Sequence, residues 1–212
     1  YYVSVIFDEV QTVSSKVIPD NIVGIDLGVK DLVVTSDGEK YSNPKEVLRR
    51  EKRLKRLQRK LSRQERGSNN YYKTKLAIAR LHSKIKNSRK HNIIKIVNRL
   101  VKEHDIIISE KLNVREMSSN HKLAKNILDA SFNKVCRMLK WKCNLLGKYY
   151  YQVDTYFPSS KKCSHCDAIT DKTKDLGVRH WTCINCGCEN DRDINASINI
   201  MFEGLKIYCQ NN

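Results

Sequence analysis

Short apolar runs and helical periodicities alternate along the 212-residue chain and predict a mixed α/β fold. The apolar run at 21–28 and the segments at 31–35 and 39–42 are each about the length of a strand. The Ser-Asp-Gly sequence at 36–38 is typical of the turn of a β-hairpin. We therefore expect three consecutive strands here, and the alternating pattern of Tyr1–Phe7 indicates a further strand before them.

Two long helices with few apolar residues are predicted next. Asn43 and Pro44 are typical of the N-cap and the first turn of a helix, so the first helix is expected to extend from there to about Arg66. The run Gly67–Asn70 interrupts it, and a second helix is expected over 71–104. Narrow apolar stripes predict that the two helices pack as an antiparallel hairpin with a basic exterior. The positions expected to face inward are Val47, Leu54, Leu57, Leu61, Leu76, Ile85, Ile93, Ile96, Val97 and Leu100.

The rest of the chain returns to alternating strands and helices and contains a cysteine-rich insert. In order, the predicted elements are a strand over 105–109, a helix over 125–146, a strand over 149–157, an insert over 158–189 and a helix over 193–203. This order is that of an RNase H-like α/β domain with a mixed sheet. We expect that domain to comprise 1–157 and 190–212, with a basic helical hairpin at 45–104 and a small ribbon at 158–189 inserted in it.

Positive charge is concentrated in the predicted helical hairpin. The chain has a net charge of +17, and residues 45–102 hold 21 Lys or Arg against 3 Asp or Glu. An ordinary charge run is usually a solvated helical face, but this much like charge is strongly repulsive unless a polyanion binds to it. We therefore expect the hairpin to bind DNA or RNA. The residues expected to make these contacts are Arg49, Arg53, Arg56, Lys60, Lys84 and Arg89.

The start of the chain and its apolar runs bear on where the protein works. No apolar run is long enough to cross a membrane, and no charged-then-apolar leader stands at the start. We therefore expect a soluble protein with no membrane partner. The chain begins at Tyr1, without Met and inside a predicted strand, so we expect it to be part of a longer protein.

Four of the eight cysteines have the spacing of metal ligands. In a four-cysteine zinc site each Cys-x2-Cys pair forms a tight turn that aims two thiolates at one ion. Four thiolates leave no open coordination position, so the predicted zinc is structural. His165 and Cys188 are alternative ligands, and a pair of redox dithiols is the alternative function. The predicted zinc ligands are Cys163, Cys166, Cys183 and Cys186.

Three acidic residues stand where predicted strands end or a helix begins. Asp26 lies near the end of an apolar strand, Glu110 directly follows another, and Asp193 starts the last helix. Buried carboxylates are costly unless they are paired or bind metal, and converging carboxylates suit Mg²⁺ or Mn²⁺. Each acid also has an ordinary explanation as a helix cap, an Asx-turn or an exposed strand end.

If these acids meet in the fold, they predict a two-metal site for phosphodiester hydrolysis. In such a site one ion activates a water molecule and the other stabilises the leaving 3′ oxygen. Asp26 is expected to bridge both ions, Glu110 to hold one and Asp193 the other. Asp191 is expected to be an outer or alternate ligand.

Four motifs together resemble the TnpB-type proteins of bacterial and archaeal insertion sequences, the OrfB family related to type V CRISPR effector nucleases. They occur in the family's order and spacing and cover nearly the whole chain. Three positions depart from the family's pattern, since Asp167 replaces a usual Gly, Asn190 a common His and Ser197 a usual Ala. The motifs are GIDLGVKDLVVTSDG (24–38), IISEKLNVREM (107–117), TYFPSSKKCSHC (155–166) and WTCINCGCENDRDINASINI (181–200).

The resemblance implies a RuvC-like nuclease domain of the RNase H-like class with a nested zinc ribbon. It implies that Asp26, Glu110 and Asp193 are the catalytic, metal-binding acids of an RNA-guided DNA endonuclease. Its partners would be DNA and a guide RNA, and it would work in a prokaryotic cytoplasm, at the nucleoid. The basic hairpin would suit contact with the phosphates of the guide or heteroduplex. The family's N-terminal recognition lobe is not among these residues, so guide-directed binding is not expected of this part by itself.

Two other functions fit the same residues. A non-catalytic nucleic-acid-binding module would use the ribbon and the basic hairpin, and its acids would be vestigial. A DNA transposase that joins strands would share the fold and the acidic residues. The presence of all three acids favours an enzyme, and the motifs favour a nuclease over a transposase.

Overall fold

The computed structural model describes residues 3, 5, 18–119, 121–171, 173, 175 and 177–211, which contain seven strands and six helices. The strands are β1 (Ile22–Asp26), β2 (Asp31–Thr35), β3 (Lys40–Ser42), β4 (Ile106–Glu110), β5 (Tyr149–Val153), β6 (His180–Thr182) and β7 (Glu189–Asp191). The helices are α1 (Glu46–Ser62), α2 (Asn69–Glu103), α3 (Val114–Met117), α4 (His121–Ala130), α5 (Phe132–Leu145) and α6 (Arg192–Asn211). The strand predicted over 1–7 lies almost entirely outside the described residues.

Five strands form one mixed sheet in the order β3-β2-β1-β4-β5. β1, β2 and β3 pair antiparallel, with Gly38 at a φ of 87° in the predicted hairpin turn. β4 joins the other side of β1 in parallel, and β5 lies parallel to β4. Parallel neighbours need a crossover connection, and the helices between these strands supply it. The predicted mixed α/β fold is therefore confirmed.

Helices cover both faces of the sheet because side chains alternate along each strand. Ile107 of β4 faces the larger core, which α2 and α5 also line. Its neighbours Ile106 and Ile108 face the opposite side and form a second core with Ile200 of α6. A strand buried on both faces has a continuous apolar sequence, which explains the run at the start of β4.

The helices α1 and α2 pack against each other as the predicted hairpin. The four predicted inward positions of α1 are all half-buried. On α2 the prediction is wrong for Leu76, whose side chain is 50% exposed. Leu76 lies two residues after the buried Thr74 and therefore points to the opposite side of the helix.

No helix in the described part of the chain is long and apolar enough to cross a lipid bilayer.

The single helix predicted over 125–146 is wrong, because the chain forms two helices there. α4 ends at Ala130, α5 starts at Phe132, and Ser131 between them adopts the left-handed conformation with a φ of 58°. The change of direction lets Ala130 and Phe132 both enter the core, where each is about 1% exposed. The sequence contains no Gly or Pro at this break, so the pattern did not reveal it.

Several other element ends differ from the prediction by a few residues. Asn43 is not the N-cap of α1; Lys45, at a φ of 46°, takes that position. Asn43 instead accepts a hydrogen bond from the Lys45 amide at 3.2 Å and donates one to the Val29 carbonyl at 3.1 Å, which organises the turn before the helix. β5 is shorter than predicted and ends at Val153, whereas α6 is longer and ends at Asn211.

Candidate active site and metal centre

The parallel pairing of β1 and β4 brings Asp26 and Glu110 together at one edge of the sheet. The register pairs Ile25 with Ser109, the residues directly before them. Both acids therefore emerge at the carboxyl ends of adjacent strands. Their carboxyl groups lie close enough for each to affect the pKa of the other.

Helix α6 places Asp193 near the same two acids. The helix crosses β1 at close range, and a Cβ added to Gly24 would lie 2.7 Å from the Met201 backbone nitrogen. Asp193 lies in the first turn of α6, and its charge acts on the ionisation of Asp26. The structure thus brings the three sequence-predicted acids to one end of the sheet.

Burial and mutual repulsion make the charged form of Asp26 unfavourable. Loss of hydration is the largest cause that raises the pKa of Asp26 well above its usual range, and the charges of Glu110 and Asp193 raise it further. Burial also raises the pKa of Glu110. A divalent cation would relieve this repulsion, and carboxylate oxygens are ligands that Mg²⁺ and Mn²⁺ prefer. The donor set therefore fits such ions.

The three carboxylates are set wider apart than the ligands of a single ion. Within the described residues, the four-cysteine group alone brings three or more potential ligand atoms to within 4.8 Å of one another. Arg179 Nη1 donates to both carboxylate oxygens of Asp193, at 3.1 and 3.0 Å. A cation that binds Asp193 must therefore share this carboxylate with Arg179 or displace the guanidinium.

Asp191 has partners for both of its carboxylate oxygens. Its Oδ1 accepts hydrogen bonds from the backbone amides of Asp193 and Ile194, at 3.0 and 3.1 Å, which are the bonds that a helix N-cap side chain makes. Its Oδ2 accepts from Lys40 Nζ at 2.6 Å. These contacts place Asp191 as the cap of the helix that carries Asp193.

Three cations around the acids were missed by the sequence reasoning. Arg179 holds Asp193, Lys40 holds Asp191, and the positive charge of Arg192 lowers the pKa of Asp26. Arg192 directly precedes Asp193 and could have been noticed. Arg179 and Lys40 are distant from the acids in sequence, and nothing in the chain pattern links them to the site.

The four predicted cysteines meet in one cluster, and their sulfur atoms all lie within 4.8 Å of one another. The Sγ atoms of Cys163 and Cys186 are 3.8 Å apart, and those of Cys166 and Cys183 are 3.6 Å apart. Tetrahedral zinc with bonds of about 2.3 Å places its sulfur ligands about 3.8 Å apart. Both distances match this spacing, so the cluster fits a zinc ion.

Backbone turns after each cysteine pair explain how the chain aims the thiolates. The Asp167 amide donates to the Cys163 carbonyl and the Gly187 amide donates to the Cys183 carbonyl, both at 2.9 Å. Gly187 has a φ of 74°, and Asp167 has a φ of 62° in the equivalent place. Glycine adopts this left-handed conformation without strain, and Asp is one of the few other residues that visit it. Asp167 therefore occupies a backbone position that favours the Gly usual in the resembled family.

Two buried asparagines of α6 attach the ribbon to the sheet domain. Asn195 Nδ2 donates to the Lys162 carbonyl at 2.7 Å, and its Oδ1 accepts from the Ser164 amide at 2.9 Å. Asn199 Nδ2 donates to the carbonyls of Ser159 and Lys162, at 2.8 and 2.7 Å. The helix that carries Asp193 thus also positions the first cysteine pair.

The six residues predicted to contact nucleic acid lie on the hairpin, and they differ in exposure and in ion pairing. Arg89 is engaged in an ion pair with Asp129, and its side chain is 24% exposed. Arg49 is 66% exposed and contacts Glu46 at 3.3 Å. The other four are exposed and form no ion pair with any described residue. They are Arg53, Arg56, Lys60 and Lys84.

Comparison with known sequences places the chain in a family. The profile of the OrfB_IS605 family, described as "Probable transposase", matches residues 5–121, and the profile "Cas12f1-like, TNB domain" matches residues 132–200. Because the first match alone covers more than half of the chain, the chain belongs to the OrfB_IS605 family. The resemblance to TnpB-type proteins is therefore confirmed.

Curated relatives carry corresponding names. The chain is 42% identical over 183 residues to a "Putative RNA-guided DNA endonuclease" of Streptomyces pristinaespiralis and 31% identical over 208 residues to a "Putative RNA-guided DNA endonuclease InsQ" of Escherichia coli (strain K12). It is 30% identical over 202 residues to "TnpB-like protein L79" of Acanthamoeba polyphaga mimivirus. The matches cover 86%, 91% and 88% of this chain and 45%, 51% and 38% of those relatives. The chain thus spans about half the length of the relatives it matches, or less.

Two solved structures share the fold. One is the "Cryo-EM structure of the Cas12f1-sgRNA-target DNA complex", with a TM-score of 0.60 and 21% identity over 87% of this chain and 50% of that one. The other is the "Cryo-EM structure of CRISPR-Cas12f Ternary Complex", with a TM-score of 0.64 and 20% identity over 91% of this chain and 40% of that one. The chain therefore has a Cas12f-like fold.

Proposed function

We propose that this chain is the catalytic core of a metal-dependent DNA endonuclease of the TnpB type. The observation that carries the proposal is the meeting of Asp26, Glu110 and Asp193 at one end of the sheet, where the charges of Glu110 and Asp193 raise the pKa of Asp26. Family membership and relatives named RNA-guided DNA endonucleases support the same function.

The strand order supports assignment of the domain to the RNase H-like class, in its RuvC-like form. The sheet has an antiparallel hairpin on one side of β1 and two parallel strands on the other. The acids stand at the carboxyl ends of the two central parallel strands, and a third comes from the last helix. The order of elements along the sequence predicts the same class.

Divalent ions such as Mg²⁺ or Mn²⁺, if bound here, would supply a nucleophile from water and neutralise charge on the phosphate. The carboxylate oxygens of Asp26 on β1, Glu110 on β4 and Asp193 on α6 would hold them. Arg179 orients Asp193 in the absence of substrate. When a cation shares the Asp193 carboxylate, the Arg179 guanidinium is also positioned to bind a phosphate oxygen of the substrate.

Zinc in the proposed protein has a structural role. The four sulfur atoms lie at zinc-ligand spacing and leave no position for substrate. The ribbon carries Arg179 between its two cysteine pairs, and Arg179 contacts Asp193. Zinc therefore supports the active site by holding the backbone that presents this arginine.

DNA and a guide RNA are the proposed partners. The exposed, unpaired cations of the hairpin suit contact with phosphates, and such contacts carry no sequence information. We assign this role to Arg53, Arg56, Lys60 and Lys84, with Arg49 as a further contact. Arg89 remains a proposed contact, although its pair with Asp129 competes with it. A cytoplasmic, nucleoid-associated location follows from these partners.

A second candidate is a DNA transposase, which the description of the family as "Probable transposase" favours. Strand transfer and hydrolysis both use acid-bound divalent ions on phosphodiesters, so the site itself serves either reaction. A strand-transfer assay with paired transposon ends separates them. Joined products would favour the transposase, and cleavage without joining would favour the nuclease.

The proposal is tested by incubating the chain with end-labelled single-stranded DNA in Mg²⁺ or Mn²⁺. Asp26→Asn keeps the shape of the side chain and removes its charge. The matched control is Asp37→Asn, in the exposed hairpin turn between β2 and β3. Metal-dependent cleavage by the wild type and the control, but not by Asp26→Asn, is expected. Cleavage that persists in Asp26→Asn would contradict the assignment.

A further inference from the structure

A second cationic surface lies away from the carboxylate site and the α1 side of the hairpin, where α2 packs beside α5. Both helices line the same core, and their exposed sides meet solvent together. We call this area the α2–α5 surface. It comprises Lys86 and Lys90 of α2 and Lys134, Arg137 and Trp141 of α5.

The two helices run in parallel and in step at this surface. Lys142 of α5 donates a hydrogen bond to Asn98 of α2, and Lys134 lies close enough to Lys90 to be influenced by its charge. In both pairs the α5 residue follows the α2 residue by the same number of positions, as it does when two parallel helices lie in register. The surface is therefore a continuous strip along both helices.

One face of α5 carries both its cations and its exposed aromatic residue. Arg137 follows Lys134 by three residues, and Trp141 follows Arg137 by four, a spacing that puts all three side chains on the same side of a helix. The rise of 1.5 Å per residue separates Lys134 from Trp141 by about 10 Å along the axis. At a stacked rise of 3.4 Å this is roughly three nucleotides.

The cations of the strip repel each other and have no carboxylate to neutralise them. Burial, together with the neighbouring charges of Lys90, Arg89, Lys86 and Arg137, holds the pKa of Lys134 below its ordinary value. Within the described residues none of the four cations of the strip forms an ion pair, and Asp129, the nearby acid, is engaged by Arg89. The positive charge of the strip is therefore not balanced by any carboxylate among the described residues.

Trp141 is a large apolar side chain left on this charged strip. It is 62% exposed, and no aromatic ring or cation packs against its faces among the described residues. An open indole face beside unpaired cations is the combination with which proteins bind single-stranded nucleic acid, because a base stacks on the ring while phosphates contact the cations.

We propose that the α2–α5 surface binds a single-stranded polynucleotide, with one unpaired base on Trp141 and adjacent phosphates on Lys134, Arg137, Lys86 and Lys90. The partner is defined by two shared features, an unpaired base and a phosphodiester backbone, and both RNA and DNA possess them. A duplex lacks an accessible base face and fits only the cations. This contact is independent of the proposed cleavage site and of the exposed cations of α1.

Tryptophan fluorescence provides the test, because the chain has two tryptophans and the other, Trp181, is only 5% exposed in the ribbon. The intact chain is titrated with short oligo(dT), short oligo(U) and a duplex of equal length, without added divalent cation. We expect the single strands to quench the fluorescence and the duplex to leave it nearly unchanged. The stronger of the two single strands identifies DNA or RNA as the source of the ligand.

Substitutions separate stacking from charge, and the fluorescence anisotropy of an end-labelled oligonucleotide measures the affinity of every variant, because Trp141→Ala removes the fluorescent side chain that reports quenching. Trp141→Ala is expected to weaken single-strand binding roughly 5- to 100-fold, the range that stacking of one base supplies, and Trp141→Phe to restore part of it. Lys134→Gln with Arg137→Gln should reduce the slope of log affinity against log salt by about 1.4. The control, Lys73→Gln with Lys75→Gln on the exposed first turns of α2, removes the same charge elsewhere.

The inference would be overturned by no quenching by any single strand, by equal quenching by the duplex, or by wild-type affinity of Trp141→Ala for a single strand. A control pair that weakens quenching as much as the α5 pair would do the same, since it would show an effect of overall charge alone. The measurement needs no catalysis, so it stands or fails separately from the proposed nuclease. Trp141 is exposed, and unchanged circular dichroism of the variants verifies that they fold.

Discussion

At the residue scale, one half-buried ion pair ties three elements together. Asp105 Oδ1 lies 3.0 Å from Lys148 Nζ, and its Oδ2 accepts from the backbone amides of Asp20 and Asn21 at 3.1 and 3.4 Å. Lys148 also donates to two carbonyls at the end of α2. Burial by itself would raise the pKa of Asp105, but these hydrogen bonds lower it below its usual value.

The lowered pKa predicts how the stability of the fold depends on pH. An acid whose pKa is lower in the folded state stabilises that state above its unfolded pKa, and the contribution is lost as the pH falls through the folded pKa. Asp105→Asn is therefore expected to lower the free energy of unfolding by about 1 kcal/mol at neutral pH and by much less near pH 3. Urea unfolding at both pH values measures the difference.

The matched variant is Glu65→Gln, an exposed side chain without an ion pair among the described residues. It should leave the free energy of unfolding nearly unchanged at either pH. An Asp105→Asn cost that is equal at both pH values would show that the charge of Asp105 does not matter.

A single residue also shows what sequence reasoning could and could not supply about the ribbon. The cysteine spacing predicted the zinc ligands, and their sulfur atoms do meet. The sequence marked Asp167 as a departure from the family, but the physical meaning of the departure is its φ of 62°. Backbone conformation at one residue depends on the turn it closes, so spacing alone does not reveal it.

At the scale of elements, the packing of α6 on β1 controls the position of Asp193. The helix approaches the strand at Gly24, where an added Cβ would lie 2.7 Å from the Met201 nitrogen and closer still to the Ser197 carbonyl oxygen. Both are backbone atoms, which cannot move aside by rotating a side chain. Glycine at this position therefore permits the approach that brings α6 to the acids.

Gly24→Ala is expected to destabilise the fold by about 1–3 kcal/mol or more, because the helix must move away from the strand. Gly177→Ala is the control, since its Cβ would meet only the side chain of Asp175. Thermal or urea unfolding of both variants gives the comparison. Equal stability of the two variants would mean that α6 does not pack on β1 as described.

The ribbon is the second element whose role can be measured. Cys183→Ser removes a buried predicted ligand, whereas Cys209→Ser removes an exposed cysteine near the end of α6. Metal analysis should find one zinc ion per chain in the wild type and in Cys209→Ser, and far less in Cys183→Ser. Protease cleavage within the ribbon should increase only in Cys183→Ser. Retention of zinc by Cys183→Ser would refute the four-cysteine site.

Element type was predictable from the sequence more readily than element ends. Asp31–Thr35 was placed correctly because Asp-Gly turns and apolar runs are local signals. The break at Ser131 was missed because the apolar periodicity continues through it. The last helix was predicted to end at residue 203, yet α6 continues through Gly204, which packs against Ile108 so closely that an added Cβ would lie 2.8 Å from the Ile108 Cδ1 atom. Such contacts depend on residues distant in the chain.

At the scale of the whole molecule, charge and acids are divided between regions. The excess positive charge lies on the hairpin, whereas the acids meet at the end of the sheet. The sequence predicted both sets and the resemblance linked them, because strand ends and charge runs are visible locally. Arg179 and the α2–α5 surface were not predictable, since each combines residues from elements that meet only in the fold.

The central claim is that Asp26, Glu110 and Asp193 together bind divalent ions at a phosphodiester. Manganese binding tests it most directly, by electron paramagnetic resonance of the zinc-loaded chain with a phosphorothioate DNA that resists cleavage. We predict that the wild type and Asp37→Asn bind two Mn²⁺ ions and that Asp26→Asn, which removes the proposed shared ligand, loses both. Manganese binding by Asp26→Asn at the wild-type level would contradict the account.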